Sequence, residues 1–172
     1  QIFQMGPLDQ GWWPDGLYTA PSDEALLFDI KAMKELGFNM IRKHIKVEPS
    51  RWYMHCDREG ILVWQDLPSP NLPEGHEAFA RQNFEEEAVR IIDAFENHPS
   101  IVQWVVFNEG WGQFDTEWMT QVVIDKVSPQ SLVCCASGWN DAEIGDIKDS
   151  HSYPYPSCPI DQKRACVNGE YG

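Results

Sequence analysis

Two glutamates each stand at the end of an apolar, strand-like run. Glu109 closes Trp104-Val105-Val106-Phe107-Asn108, and Glu170 closes Val167-Asn168-Gly169. Two carboxyls facing each other over a ligand suit glycoside hydrolysis: one protonates the leaving oxygen, the other attacks the anomeric carbon or activates water. A separation of about 5–5.5 Å gives retention of configuration and one of about 6.5–9.5 Å inversion. Out of context, Asn108-Glu109 equally fits a helix N-cap with an acidic first turn. Two of 27 acidic residues could also end strands by chance.

The elements that would position this pair follow from the pattern around it. Ile101 to Phe107 is β-branched or aromatic almost throughout, too short for a core helix, and bounded by Asn97-His98-Pro99-Ser100 and by Asn108-Glu109-Gly110-Trp111-Gly112. That is the signature of a strand covered on both faces, and in parallel α/β architectures the carboxyl ends of such strands line the site. Upstream, residues 2–8 read as a strand and 9–16 as a Gly/Pro/aromatic loop. Ser22-Asp23-Glu24-Ala25 resembles a capping box opening a helix with Leu26, Leu27, Ile30, Met33 and Leu36 on one face, stopped by Gly37. A strand over 38–44, a helix from Pro49 to Gly60 and a strand over 61–64 running into Gln65-Asp66 complete two β-α-β units. An irregular loop with Pro68, Pro70, Pro73 and Gly75 precedes a helix over 83–97. After Glu109 come a helix over 115–127, a strand over 132–136, a loop at Trp139, a short strand over 147–151, a Pro-rich loop and a last strand near 167.

Seven strands, most of them separated by helices, make an α/β protein, either doubly wound or a (β/α)8 TIM barrel. No Gly-rich phosphate loop follows the first strand, which counts against a nucleotide-binding sheet. Polar residues end nearly every strand: Asp9, Arg42, His44, Asp66, Asn108, Glu109, His151 and Glu170. A barrel collects its site in that way. The expectation is one catalytic domain over 1–172, a TIM barrel truncated after the seventh strand, its two unpaired edges inviting homo-oligomerisation.

The 13 Lys and Arg against 27 Asp and Glu leave a net charge of −14, which argues against nucleic acid or an anionic membrane surface as partner. Eight Trp supply rings on which sugars stack, although cores also consume Trp. The five Cys lack CxxC spacing and read as mostly free thiols. No apolar run reaches a membrane span, and both ends look cut from a longer protein.

Asn39-Met40-Ile41-Arg42 with Trp52-Tyr53, Asp57, Gly60 and Ile61-Leu62-Val63-Trp64, together with Asn97-His98-Pro99-Ser100-Ile101-Val102, Trp104 and Asn108-Glu109, resembles the two signatures of glycoside hydrolase family 2, the β-galactosidase, β-glucuronidase and β-mannosidase family. The resemblance covers essentially the whole chain. It implies a (β/α)8 catalytic domain that needs no cofactor, and retaining cleavage of terminal β-glycosides through a glycosyl-enzyme intermediate. On it, Glu109 is the acid/base, Glu170 the nucleophile, and Asn108 the partner of the sugar 2-hydroxyl. Arg42 and Tyr153, with Tyr155 as the alternative, hold the nucleophile. Asp9, His44, Asp66, Trp111, Trp139 and His151 would complete the substrate-binding set, and Trp12, Trp13 and Trp64 are further stacking candidates. Flanking β-sandwich domains are expected in the full-length protein, as is a secreted or periplasmic setting. Lys43-His44-Ile45-Lys46, the strand-one loop from Leu8 to Trp13 and Gln65-Asp66 depart from the common pattern, so the resemblance leaves the sugar open.

Two other readings compete. A metal-dependent barrel hydrolase could use His44, His151 and Asp66. His55 falls in a helix, His76 in a loop and His98 in the turn before a strand, and no HxH or HExxH motif is present. The missing eighth strand motivates the other: an inactive fragment or a sugar-binding remnant of such an enzyme.

Overall fold

The computed structural model describes residues 2–69, 71 and 77–172. Strands β1 (Leu8–Asp9), β2 (Met40–Lys43), β3 (Leu62–Asp66), β4 (Ile101–Asn108) and β5 (Leu132–Ser137) form one parallel sheet in that order. β6 (Ile147–His151) pairs in parallel with β7 (Ala165–Glu170) in a second sheet. Helices α1 (Asp23–Glu35), α2 (Ser50–Glu59), α3 (Glu77–Phe95) and α4 (Thr116–Lys126) fill the crossovers from β1 through β5. Between β5 and β6 there is an isolated bridge, Cys134 to Gly145, and the Asp146 N–H donates to the Val133 carbonyl at 2.8 Å. Parallel strands laid side by side in chain order are the wall of a TIM barrel, here seven strands of it. Among the described residues no helix is long and apolar enough to cross a membrane.

Local chemistry explains the elements. Ser22 caps α1, its hydroxyl accepting from the Ala25 N–H at 3.2 Å. Gly60 ends α2 with φ +69°, a left-handed conformation that glycine adopts without a Cβ penalty. Ile41, Val63, Trp104 and Val133 pack outward with Leu26, Tyr53, Ile92 and Met119 of the helices. A smaller cluster of Val105, Cys134 and Ile147 fills the inner side of the wall. Adjacent residues such as Trp104 and Val105 thus serve different layers, as the period of a strand requires.

Three boundaries differ from expectation. The first strand is only Leu8–Asp9. Pro7 has no N–H to donate, and residues 5–7 follow β2 mainly by accepting, from Asn39 to Met5 at 3.1 Å and from Arg42 to Pro7 at 3.0 Å. α3 begins at Glu77, ahead of the expected residue 83, because good helix formers precede the apolar stripe that starts at Phe84. β3 runs on through Gln65 and Asp66, both fully buried. Of the residues read as the third crossover loop, Pro70, Pro73, Gly75 and His76 lie outside the described ones.

The turn into β4 is held from α2. Asp57 pairs with His98 Nδ1 at 2.6 Å and accepts the Ser100 N–H at 3.0 Å. Burial works to raise the Asp57 carboxyl, but the hydrogen bonds from Ser100 and His98 outweigh it and hold the group below its ordinary value. Asp57→Ala is expected to cost about 1–3 kcal/mol, read as a lower urea midpoint at constant slope. Because the folded-state value is depressed, the contribution is present above about pH 4 and is lost as pH falls further. The difference between wild type and variant therefore shrinks in acid; a gap that stays constant down to about pH 2 would remove the ionic part of this account.

Candidate active site

Arg42, at the inner end of β2, is 2% exposed and touches three other strands. Its Nε and Nη2 donate to Asp66 at 3.1 and 2.9 Å, Nη2 also donates to Asn108 Oδ1 at 2.8 Å, and Nη1 to Glu170 Oε1 at 2.9 Å. A planar guanidinium with five donors in a fixed fork can hold three acceptors in one plane, which an ammonium cannot. Burial pushes the Asp66 carboxyl up, but the Arg42 charge and a His44 Nδ1 contact of 3.1 Å bring it below its ordinary value.

The two glutamates converge over this hub. A carboxylate oxygen of Glu109 and one of Glu170 lie within 4.8 Å of each other, with His151 Nδ1 at 3.0 Å from the former residue and 3.5 Å from the latter. Their other partners differ. Glu170 takes donors from Arg42 and from the Tyr153 hydroxyl, and its Oε1 is 3.9 Å from His44 Nδ1. Burial and then Glu170 push the Tyr153 phenol up to about 12, so it remains a donor at neutral pH. Glu109 receives the Trp111 indole N–H at 3.2 Å. Its own backbone is left-handed at φ +53°, a conformation that costs a non-glycine residue about 1 kcal/mol or more. The Glu109 N–H donating to the Ser137 carbonyl at 2.7 Å and Gln113 donating to the Glu109 carbonyl hold it there.

The remaining sequence candidates divide. Asn108, Arg42, Asp66, His44, His151, Tyr153 and Trp111 come together with the carboxylates, and Trp139 stands edge-on to the His151 ring at 5.6 Å. Asp9 does not join them. It pairs with Lys43 at 2.6 Å in a neighbouring buried cluster where Glu48 takes Lys43 at 3.0 Å and Lys46 at 2.9 Å. Tyr155 is 80% exposed and its carbonyl accepts from Ser152; the Tyr153 hydroxyl is the one that reaches Glu170. Trp64 is buried with its N–H on Gln4, and Trp13 packs against the core, so neither offers a free ring face to a ligand. Trp12 is exposed, and with Gln10, Tyr18, His44, Ile45 and Trp111 it lines a cleft of about 280 Å³, of whose lining Trp111 reaches Glu109 and His44 lies 3.9 Å from Glu170.

Sequence reasoning missed Ser137 and Asp149. Ser137 Oγ lies 2.9 Å from His151 Nε2 and 2.5 Å from Asp149 Oδ2, and Asp149 Oδ1 accepts the Gly169 N–H at 2.6 Å. The signal for Asp149 was the period of two in β6, which puts residues 147, 149 and 151 on the same inward side. Close packing enforces the arrangement. A Cβ on Gly138, itself at φ +101°, would meet the His151 ring at 2.9 Å, and one on Gly169 would meet the Asp149 carboxylate at 2.2 Å.

The metal-site reading of His44, His151 and Asp66 does not hold together as one group: His44 sits on Asp66, whereas His151 sits between the two glutamates. Glu109, His151 and Glu170 come within a cation's reach of one another, but Arg42 and Tyr153 donate to Glu170 and Trp111 to Glu109, and we assign no metal site there.

With that geometry in view, the family model described as "Glycosyl hydrolases family 2, TIM barrel domain" matches residues 20–168. The chain belongs to glycosyl hydrolase family 2. Curated proteins of related sequence include a β-glucuronidase of Bacteroides fragilis, 32% identical over 88 residues that are 47% of this chain and 12% of the relative. A β-galactosidase of Lactococcus lactis is 33% identical over 98 residues, 53% of this chain and 10% of that protein. The chain thus matches only about a tenth of the length of these curated relatives. Among solved structures, a family 2 β-galacturonidase of Eisenbergiella tayi bound to galacturonate superposes with a TM-score of 0.73 at 22% identity, covering 86% of this chain and 28% of that one. A Parabacteroides merdae β-glucuronidase gives 0.73 at 16% identity over 90% and 20%. At those identities the superpositions speak for the TIM-barrel fold of this family 2 chain and not for its substrate.

Proposed function

We propose that this family 2 chain is the catalytic barrel of a retaining β-glycosidase. The observation that carries the proposal is the approach of Glu109 and Glu170 to within 4.8 Å, on the short side of the spacings that divide the two mechanisms and suited to direct attack. Glu109 is the acid/base and Glu170 the nucleophile. Arg42 and Tyr153 aim two donors at Glu170, complementing its negative charge and fixing the oxygen that attacks. Glu109 gives its proton to the glycosidic oxygen as Glu170 bonds to the anomeric carbon. It then takes a proton from the water that cleaves the ester. Asn108, whose Oδ1 is held by Arg42, offers its Nδ2–H to a sugar hydroxyl. Trp12 and Trp111 give the cleft rings for the flat side of a pyranose, with Tyr18 packed edge-to-face against Trp12.

A panel of aryl β-galactoside, β-glucuronide, β-mannoside and β-glucoside, assayed on the full-length protein containing this chain, tests the reading. At least one is expected to turn over with retention. Residues 1–172 alone are expected to show little or no turnover, since an open barrel leaves the pocket wall incomplete. No hydrolysis of any substrate by the full-length protein would reject the proposal, and robust activity from 1–172 alone would reject its second half.

A further inference from the structure

Behind Glu109 lies a file of hydrogen-bonding groups that the two-carboxylate scheme does not use. His151 Nδ1 is 3.0 Å from Glu109 Oε1, His151 Nε2 is 2.9 Å from Ser137 Oγ, and Ser137 Oγ is 2.5 Å from Asp149 Oδ2. The His151 side chain is fully buried and Asp149 is 5% exposed, so the part of the file beyond His151 Nδ1 is closed off from solvent. On the reading that Glu109 is the acid/base, we propose that His151, Ser137 and Asp149 are positioning residues forming a proton relay that matches the state of Glu109.

The argument is a count of donors and acceptors. Ser137 has one hydroxyl proton. With Asp149 ionised, that proton goes to Asp149, so Ser137 Oγ accepts from Nε2–H. The neutral imidazole then presents the bare Nδ1 to Glu109, and the contact is satisfied when Glu109 carries its proton. With the imidazole neutral, the file thus pairs with Glu109 in the acid form that begins the reaction. The alternative holds the same three mobile protons: the Glu109 proton moves to Nδ1, the Nε2 proton to Ser137 Oγ, and the hydroxyl proton to Asp149. Glu109 is then a carboxylate receiving Nδ1–H, and Asp149 is the neutral end of the file. No bond other than those to hydrogen changes, and no charge leaves the network.

The surroundings let Asp149 fill both roles. Burial raises its carboxyl above the ordinary value, against the hydrogen bond from Ser137, the Arg42 charge, His151 and the Gly169 N–H. The thiols of Cys134 on β5 and of Cys158 in the loop after β6 are further titratable neighbours. His151 faces Glu109 from β4, Glu170 from β7 and the Trp139 ring from the loop after β5.

The test compares two substrates of the preferred sugar on the full-length protein: a phenyl glycoside, whose departure needs a proton, and a 2,4-dinitrophenyl glycoside, whose departure does not. Asp149→Asn, whose oxygen stays with the Gly169 N–H so that its NH2 donates to Ser137 and reverses the file, and Ser137→Ala, which breaks it, are expected to lower kcat/KM on the phenyl substrate ~10–100-fold and on the dinitrophenyl substrate by less than ~3-fold. The alkaline limb of the phenyl profile should move as well. The ratio of the two rates is taken on one preparation, so it does not depend on the fraction folded. If Ser137→Ala gives no soluble protein, Asp149→Asn and Ser137→Thr are read instead, with Ser137→Thr keeping the hydroxyl and restoring the wild-type ratio. Equal losses on both substrates, or no loss on either, overturn the relay. Glu109→Ala is the control: if it discriminates between the substrates and the relay variants do not, only the relay fails, whereas a Glu109→Ala that fails to discriminate removes the acid/base reading itself.

Discussion

Glu170→Ala in the full-length protein is expected to abolish turnover, with kcat falling roughly 10⁴-fold or more, and added azide is expected to recover part of it as a glycosyl azide of inverted configuration. Removing the carboxylate leaves Arg42 Nη1 and the Tyr153 hydroxyl as donors around the vacated volume, and a small anion fits their charge and direction. Azide there attacks the anomeric carbon from the face Glu170 used, while Glu109 remains in place to protonate the leaving group. On the proposed double displacement, one displacement then replaces two, so the product is inverted. Product configuration by proton NMR decides the matter. Recovery with retained configuration would show that Glu170 is not the nucleophile.

Arg42→Met should lower kcat about 10²–10³-fold, the scale for loss of a preorganised charge partner, and should also cost about 3–5 kcal/mol because it leaves buried carboxylates unpaired. The sign of the pH effect separates this from simple loss of packing. In the wild type Asp66 is held below its ordinary value, chiefly by the Arg42 charge acting against burial, so its contribution is present above about pH 4 and is lost in acid. Without Arg42, burial is opposed by no more than the His44 contact and the Ile45 N–H at 3.3 Å, and it raises the Asp66 carboxyl. Its ionisation then works against the fold, and the variant loses stability as pH rises through the acid range toward neutrality. Urea midpoints of the two proteins should therefore diverge with increasing pH; parallel curves would mean that Arg42 acts by volume alone.

The parts of this site that could be read in the sequence are those tied to strand ends. Glu109, Glu170, Asn108 and Arg42 each follow an apolar run whose direction is fixed by the crossover pattern, so their meeting is a matter of topology. Asp9 obeyed the same rule of position and still went elsewhere, because Lys43, one residue past Arg42 and pointing to the other side of β2, draws it into a separate buried ion cluster. Alternation along β2 decided that outcome, and it depends on a partner strand's register that no single segment reveals. The length of β1 was misjudged for a related reason: extended, apolar residues suffice for the pattern, whereas a ladder also needs the N–H that Pro7 lacks. Ser137 and Asp149 were invisible as chemistry because a serine and an aspartate gain meaning only from the atoms 2.5–2.9 Å away.

The join between β5 and β6 has a mechanical consequence. Glu109 rides on the five-stranded sheet and Glu170 on the two-stranded one, and side chains, chiefly Ser137 to Asp149 and His151, span much of that join. The Glu109–Glu170 spacing is therefore also the width of a seam. A small opening there would part the carboxylates before any helix unwinds, so heat or denaturant would silence the enzyme ahead of the loss of its secondary structure.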